Sequence, residues 1–219
     1  MAIYLPKSNF TPPPAGTFPA VCYRIIDLGT QPVPFQGEVK HKHRIMLSWE
    51  LHDDECLTDE GKPMTVHKPF TFSMHPKATL RKSLESWRGK AFEKSDFGEG
   101  GFDLSKLVGV PCLIGITHEE RDGEVYANIT SISKMLKGMK ASALQNAEQV
   151  VWIDDKLKPE ALEKLSENLR TKIMSSPEYK ALATGGSDPA DDWESGAKAE
   201  REGGKGFLEE MEELEEIPF

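Results

Sequence analysis

Between Val39 and Leu51 apolar and polar side chains alternate. Val39, Ile45, Leu47, Trp49 and Leu51 share one parity, and Lys40, Lys42, Arg44, Ser48 and Glu50 share the other. A period of two is that of a strand with one face buried. Met64–Met74 repeats the pattern, with Val66, Phe70, Phe72 and Met74 on one face. Upstream, Thr17–Asp27 is rich in β-branched, aromatic and small residues and predicts another strand. Gly29–Gly37 holds Pro32, Pro34 and a glycine at each end, which predicts a long turn-rich loop. After Met74 the period changes. Leu80, Leu84 and Trp87 fall at helical spacing and predict a helix over 77–88, with Gly89 ending it. Residues 91–102 are Gly- and Phe-rich and predict a loop, followed by a short helix at Asp103–Val108 with Asp103 as its cap. Val110–Thr117 and Glu124–Ile132 predict two strands joined across Arg121-Asp122-Gly123, a hairpin signal.

The expected fold is therefore mainly β: five strands with a helix between strands 3 and 4, the order of an OB-like barrel. Four prolines in the first fifteen residues (Pro6, Pro12, Pro13, Pro14) oppose helix or central strand there. Residues 1–11 are expected to be a flexible N-terminus and 12–135 the OB-like domain. A small helical appendage is expected over 136–183. Its Pro159–Met174 stretch puts Leu162, Leu165, Leu169 and Ile173 on one stripe, and Ser176-Pro177 restarts a short helix to about Leu182. Residues 184–207, mostly Gly, Ser, Asp, Ala and Lys, predict a flexible linker to a disordered acidic tip at 208–219.

Charge sharpens this division. The 219 residues carry 27 Lys and Arg against 36 Asp and Glu, net −9. Residues 1–150 hold 18 of each sign, and residues 151–219 hold 9 basic and 18 acidic side chains. The acidity thus belongs to the C-terminal third, and residues 1–150 are neutral. No apolar run approaches the ~20 residues of a membrane span, and the first residues lack a signal-peptide layout. Three well-separated cysteines, Cys22, Cys56 and Cys112, fit reduced thiols in a cytoplasm-like compartment. His41 and His43 share a strand face, but no third ligand stands at a motif spacing, and holding an anion is the commoner use of such a pair. No phosphate-binding loop, nucleophile elbow or His-Glu-x-x-His motif occurs. No cofactor and no enzymatic activity are expected.

The chain closes Glu215-Glu216-Ile217-Pro218-Phe219, with six glutamates in its last eleven residues. An aromatic ring beside a proline and a carboxylate makes a compact ligand for an apolar pocket lined by Arg or Lys. This ending resembles bacterial single-stranded DNA-binding proteins, whose acidic tip finishes Ile-Pro-Phe; glutamates here replace the usual aspartates and keep the charge. The N-terminal part is similar to phage-encoded single-stranded DNA-binding proteins. The segments that carry this are Pro14-Ala15-Gly16-Thr17-Phe18-Pro19-Ala20, Ile26-Asp27-Leu28-Gly29-Thr30-Gln31, Phe35-Gln36-Gly37-Glu38 and Tyr126-Ala127-Asn128-Ile129. The resemblance implies an OB barrel that coats single strands in phage replication and recombination, in a bacterial cytoplasm and with a homo-oligomer possible. It also implies that Glu215, Glu216, Ile217, Pro218 and Phe219 recruit replication, recombination and repair proteins.

Such a barrel needs phosphate contacts and stacking platforms. Lys40, Lys42 and Arg44 project from one strand face about every 6.6–6.8 Å, comparable to phosphates on an extended strand. Lys68 and Arg24 are further basic candidates. Phe35, in a Pro/Gly loop with no core to join, is a stacking candidate, as is Tyr23. Trp49 is a candidate too, although its parity with Ile45 and Leu47 favours the core, as for Phe70 and Phe72. Phe92, Phe97 and Phe102 either clamp a strand or tuck their loop down. The competing functions are a metal-dependent DNA-processing enzyme and an acidic adaptor that binds only protein.

Overall fold

The computed structural model describes residues 11–98, 101–121, 123–154 and 156–184. The expected linker, the acidic tip and nearly all of the N-terminal segment lie outside them. The described chain is mainly β. Its strands are β1 (Gly16–Phe35), β2 (Glu38–Leu51), β3 (Thr65–Thr71), β4 (Pro111–Arg121), β5 (Glu124–Ser133) and β6 (Gln149–Val151). The helices are α1 (Thr79–Arg88) between β3 and β4, then α2 (Pro159–Glu163), α3 (Glu167–Ser175) and α4 (Pro177–Thr184). The strands form one open sheet in the order β3-β2-β1-β4-β5, antiparallel throughout, with the short β6 added parallel to β1. The mainly β expectation holds, with six strands where five were expected, in one open sheet. The edge strands β3 and β5 share no ladder among the described residues. The Lys68 ammonium of β3 bridges to β5, donating to the Ile129 carbonyl at 2.7 Å.

The largest departure from expectation is β1. Its pairing continues through Gly29 and both prolines to Phe35, in place of the expected loop. The prolines are tolerated because this end of β1 pairs only with β2, so a missing N–H can face the free edge. The reversal is a two-residue turn at Gln36-Gly37, both with positive φ (49° and 83°), the handedness that matches strand twist. Two register shifts, at Cys22/Arg24 and Asp27/Gly29, insert extra residues into β1. Bulges bend a strand and increase its twist. Here they let β1 pair with β4 over Gly16–Val21 and then swing outward with β2 as a two-stranded arm.

Both faces of the sheet centre are buried, whereas parity alone marks only one. One face packs Ile25, Ile45, Leu47 and Trp49 against Leu80, Leu84 and Trp87 of α1. α1 ends as expected, at Gly89 in the left-handed region (φ 72°). The other face packs Ile26, Leu28 and Met46 under Val151, Leu162, Leu165 and Ile173. The expected amphipathic helix is split into α2 and α3 at Lys164–Ser166, yet its leucine stripe does face the sheet. The covering segment encloses Ser48 and Glu50, solvent-facing by parity, at 1% and 0% exposure. The Glu50 carboxylate accepts from the Gln145 and Asn146 amides (both 2.8 Å), the Asn146 side chain (2.7 Å) and His52 Nε2 (2.6 Å). No described helix is long and apolar enough to cross a membrane.

Candidate nucleic-acid interface

Cross-strand partners on a ladder share a face. The arm pairs Phe35 with Glu38, Val33 with Lys40, Gln31 with Lys42 and Gly29 with Arg44. Phe35, Lys40, Lys42 and Arg44 therefore project from one side. Lys40 Nζ lies 4.6 Å from the centroid of the Phe35 ring and Lys42 Nζ 5.3 Å. The ring is 42% exposed. An open phenyl face flanked by two ammonium groups is held by cation–π attraction and can take a planar partner while pairing with anions.

Toward the sheet centre the same face is covered: Met46 is 5% and Ser48 1% exposed beneath the segment after β5. Arg44 sits at the root of the arm, partly buried, with burial pulling its pKa down. Ser48, two steps further along the same parity, pairs with Arg24 and with His67 of β3. Arg24 Nε is 3.5 Å from Ser48 Oγ, and its guanidinium stacks 5.3 Å over the Tyr23 ring. Burial first, then the positive charges of Arg24 and Lys172, push the His67 imidazole below its ordinary pKa. Lys172 belongs to α3, whose backbone at that residue accepts from the Gln31 side chain of the arm (2.8 Å). The structure thus brings Lys172, and a His67 held toward its neutral form, into the neighbourhood of Arg24. Sequence carries no signal for Lys172, because α3 reads as a packing helix and only its docking brings this residue to the sheet.

Five of the expected residues, Phe35, Lys40, Lys42, Arg44 and Arg24, share this face. Three do not contribute to it. Trp49 is fully buried, 5.9 Å from Trp87, and has no free ring face. Tyr23 is only 8% exposed beneath Arg24. Lys68 shares the inward parity of Val66 and Phe70, and burial lowers the pKa of its ammonium, which is engaged by Ile129. Phe92, Phe97 and Phe102 resolve as a tucked loop: Phe92 lies 5.5 Å from Phe97 and 4.9 Å from Phe102, under the guanidiniums of Arg81 and Arg88.

The root of the arm is fastened by a buried polar cluster. Asp27, 1% exposed, accepts from the Gly29 amide (2.9 Å) and binds His43 Nε2 (2.6 Å). Glu178 of α4 accepts from the Thr30 amide (2.8 Å) and hydroxyl and lies 3.9 Å from His43 Nδ1. No group of three or more His, Cys, Asp or Glu among the described residues is placed to hold a metal ion. Burial opposes the imidazolium, but the Asp27 hydrogen bond and the Asp27 and Glu178 charges outweigh it and raise the His43 pKa above 6.5. Burial likewise opposes the Glu178 carboxylate, but the Thr30 hydrogen bonds hold its pKa below 4.5. A raised His pKa stabilises the fold fully below about 6.5 and less as pH climbs through the raised value; a lowered Glu pKa does so above about 4.5. Urea unfolding is expected to show higher stability at pH 6 than at pH 8.5, and His43→Gln should flatten that difference. An unchanged slope in the variant would remove His43 from the latch.

No known family model matches the chain, and no curated protein matches it.

Proposed function

We propose that this protein binds single-stranded DNA without sequence preference, coating and protecting it during phage replication or recombination in a bacterial cytoplasm. The observation that carries the reading is the exposed Phe35 ring between Lys40 and Lys42, at the tip of an arm that has Arg44 on the same face at its root. In this reading Phe35 stacks on an unpaired base and the two lysines neutralise phosphates on either side. Arg44 extends the path to the root of the arm. Affinity then comes from phosphate neutralisation and stacking, and base edges are left unread.

The strand order and the helix between β3 and β4 support an OB-like architecture, with β3 bridged to β5 by the Lys68–Ile129 hydrogen bond. The acidic tip, with Glu215, Glu216, Ile217, Pro218 and Phe219, would recruit replication, recombination and repair proteins. An electrophoretic shift with a labelled dT oligonucleotide and with its duplex tests the reading. The single strand is expected to shift at lower protein concentration, because a paired base offers Phe35 no face. Equal shifts would mean general polyanion binding. No shift would favour an adaptor, and cleavage dependent on divalent metal would favour an enzyme.

A further inference from the structure

A second feature stands apart from the arm. Between α1, the loop before β4 and the residues after β5 lies a cavity of about 330 Å³, in the range of small-ligand sites. Its walls are apolar, among them Leu84, Trp87, Phe102 and Leu107, and the basic side chains Arg88 and Lys134 complete them. The Trp87 indole is fixed in place by donating to the Pro111 carbonyl (2.9 Å). Arg88 Nη2 donates to Asp96 (2.8 Å) and its guanidinium lies 4.3 Å from the Phe92 ring. Its Nη1 is buried and has no hydrogen-bond partner among the described residues. Lys134 makes no ion pair among them either. With Lys134 and Arg88 in its apolar wall, the cavity suits an apolar ring with a carboxylate beside it.

The chain itself contains that ligand. Residues 208–219 carry six glutamates and no basic side chain, and Glu215-Glu216 run directly into Ile217-Pro218-Phe219. The 35 residues beyond Thr184 span at most roughly 120 Å when extended, ample for the tip to reach this cavity. We propose that the α1–β4 cavity is the docking site of the chain's own Glu215–Phe219 segment. Pro218 and Phe219 lie against Trp87 and Leu84, and a glutamate carboxylate meets the Lys134 ammonium. Docked there, the tip is withheld from other proteins, and a partner must compete with the cavity for it. The proposal requires no DNA binding, so it can fail or stand without the arm.

The test uses the full chain without nucleic acid. Cys22, Cys56 and Cys112 are each 0% exposed, so a spin label on Met211→Cys reports from the tail alone. In isotope-labelled protein, the Trp87 indole and Leu84 methyl signals are expected to lose intensity when the label is active. The loss should persist on dilution into excess unlabelled protein. Phe219→Ala should abolish it, and Lys134→Glu, on an exposed residue, should reduce it. Four results would overturn the proposal. One is broadening centred on Phe35 and Lys42, and another is no broadening. The third is broadening passed between separately labelled copies, which would make a second copy the occupant. Insensitivity to both substitutions would do the same.

Discussion

Replacing Phe35, Lys40 and Lys42 together with alanine is expected to abolish most single-strand binding while leaving the fold intact. The three side chains lie on an arm with few packing obligations; Phe35 is 42% exposed and Lys40 is exposed. A base–aromatic stack contributes ~1–3 kcal/mol, so losing the ring alone weakens binding by about 5- to 150-fold. Withdrawing one cation from a phosphate flattens the dependence of log affinity on log salt by roughly 0.7, so removing two lysines flattens it by about 1.4. Fluorescence anisotropy of a labelled oligonucleotide at several salt concentrations separates the two contributions. Phe35→Ala alone should lower affinity at constant slope, and the lysine pair should change the slope. A triple variant with wild-type affinity and slope would place the DNA path elsewhere.

The second large effect concerns stability. Glu50→Ala is expected to cost about 3–5 kcal/mol, because the carboxylate is fully buried and its loss strands four donors. Against a typical total of ~5–15 kcal/mol, that brings the protein close to unfolding at room temperature. Urea denaturation gives the magnitude. Amide exchange gives the location, since Gln145 and Asn146 should lose protection first. Despite the opposing effect of burial, these hydrogen bonds hold the Glu50 pKa below 4.5. Its stabilisation is present above that pH and is lost as pH falls through the lowered value. A change within experimental error would mean that water replaces the carboxylate without loss.

What sequence shows is local. The α1 helix follows from Leu80, Leu84 and Trp87 with Gly89 behind them, and all three side chains point into the core. The β4–β5 hairpin follows from two strand segments joined across Arg121-Asp122-Gly123. What sequence hides is tertiary. Pro32 and Pro34 argue for a loop because local rules cannot see that this end of β1 is a free edge. Glu50 looks solvent-facing because parity marks one buried face, whereas the segment after β5 covers the other. In the candidate site, the lysines of β2 are legible from alternation and Phe35 from its lack of a core. Lys68 misleads because it interrupts an inward-facing row between Val66 and Phe70, and a basic residue on so short a strand reads as exposed. His67 and Lys172 approach each other only when α3 docks.

The central claim is that the arm face binds single strands through phosphate and stacking contacts alone. Titration of the full chain with poly(dT) and with a mixed-sequence strand of equal length, each at low and high salt, tests it most directly. The expected result is saturable binding to both strands with similar affinity, weakening as salt rises along a line whose slope reports several phosphate contacts. Absence of binding at low salt, or binding that ignores salt, would contradict it.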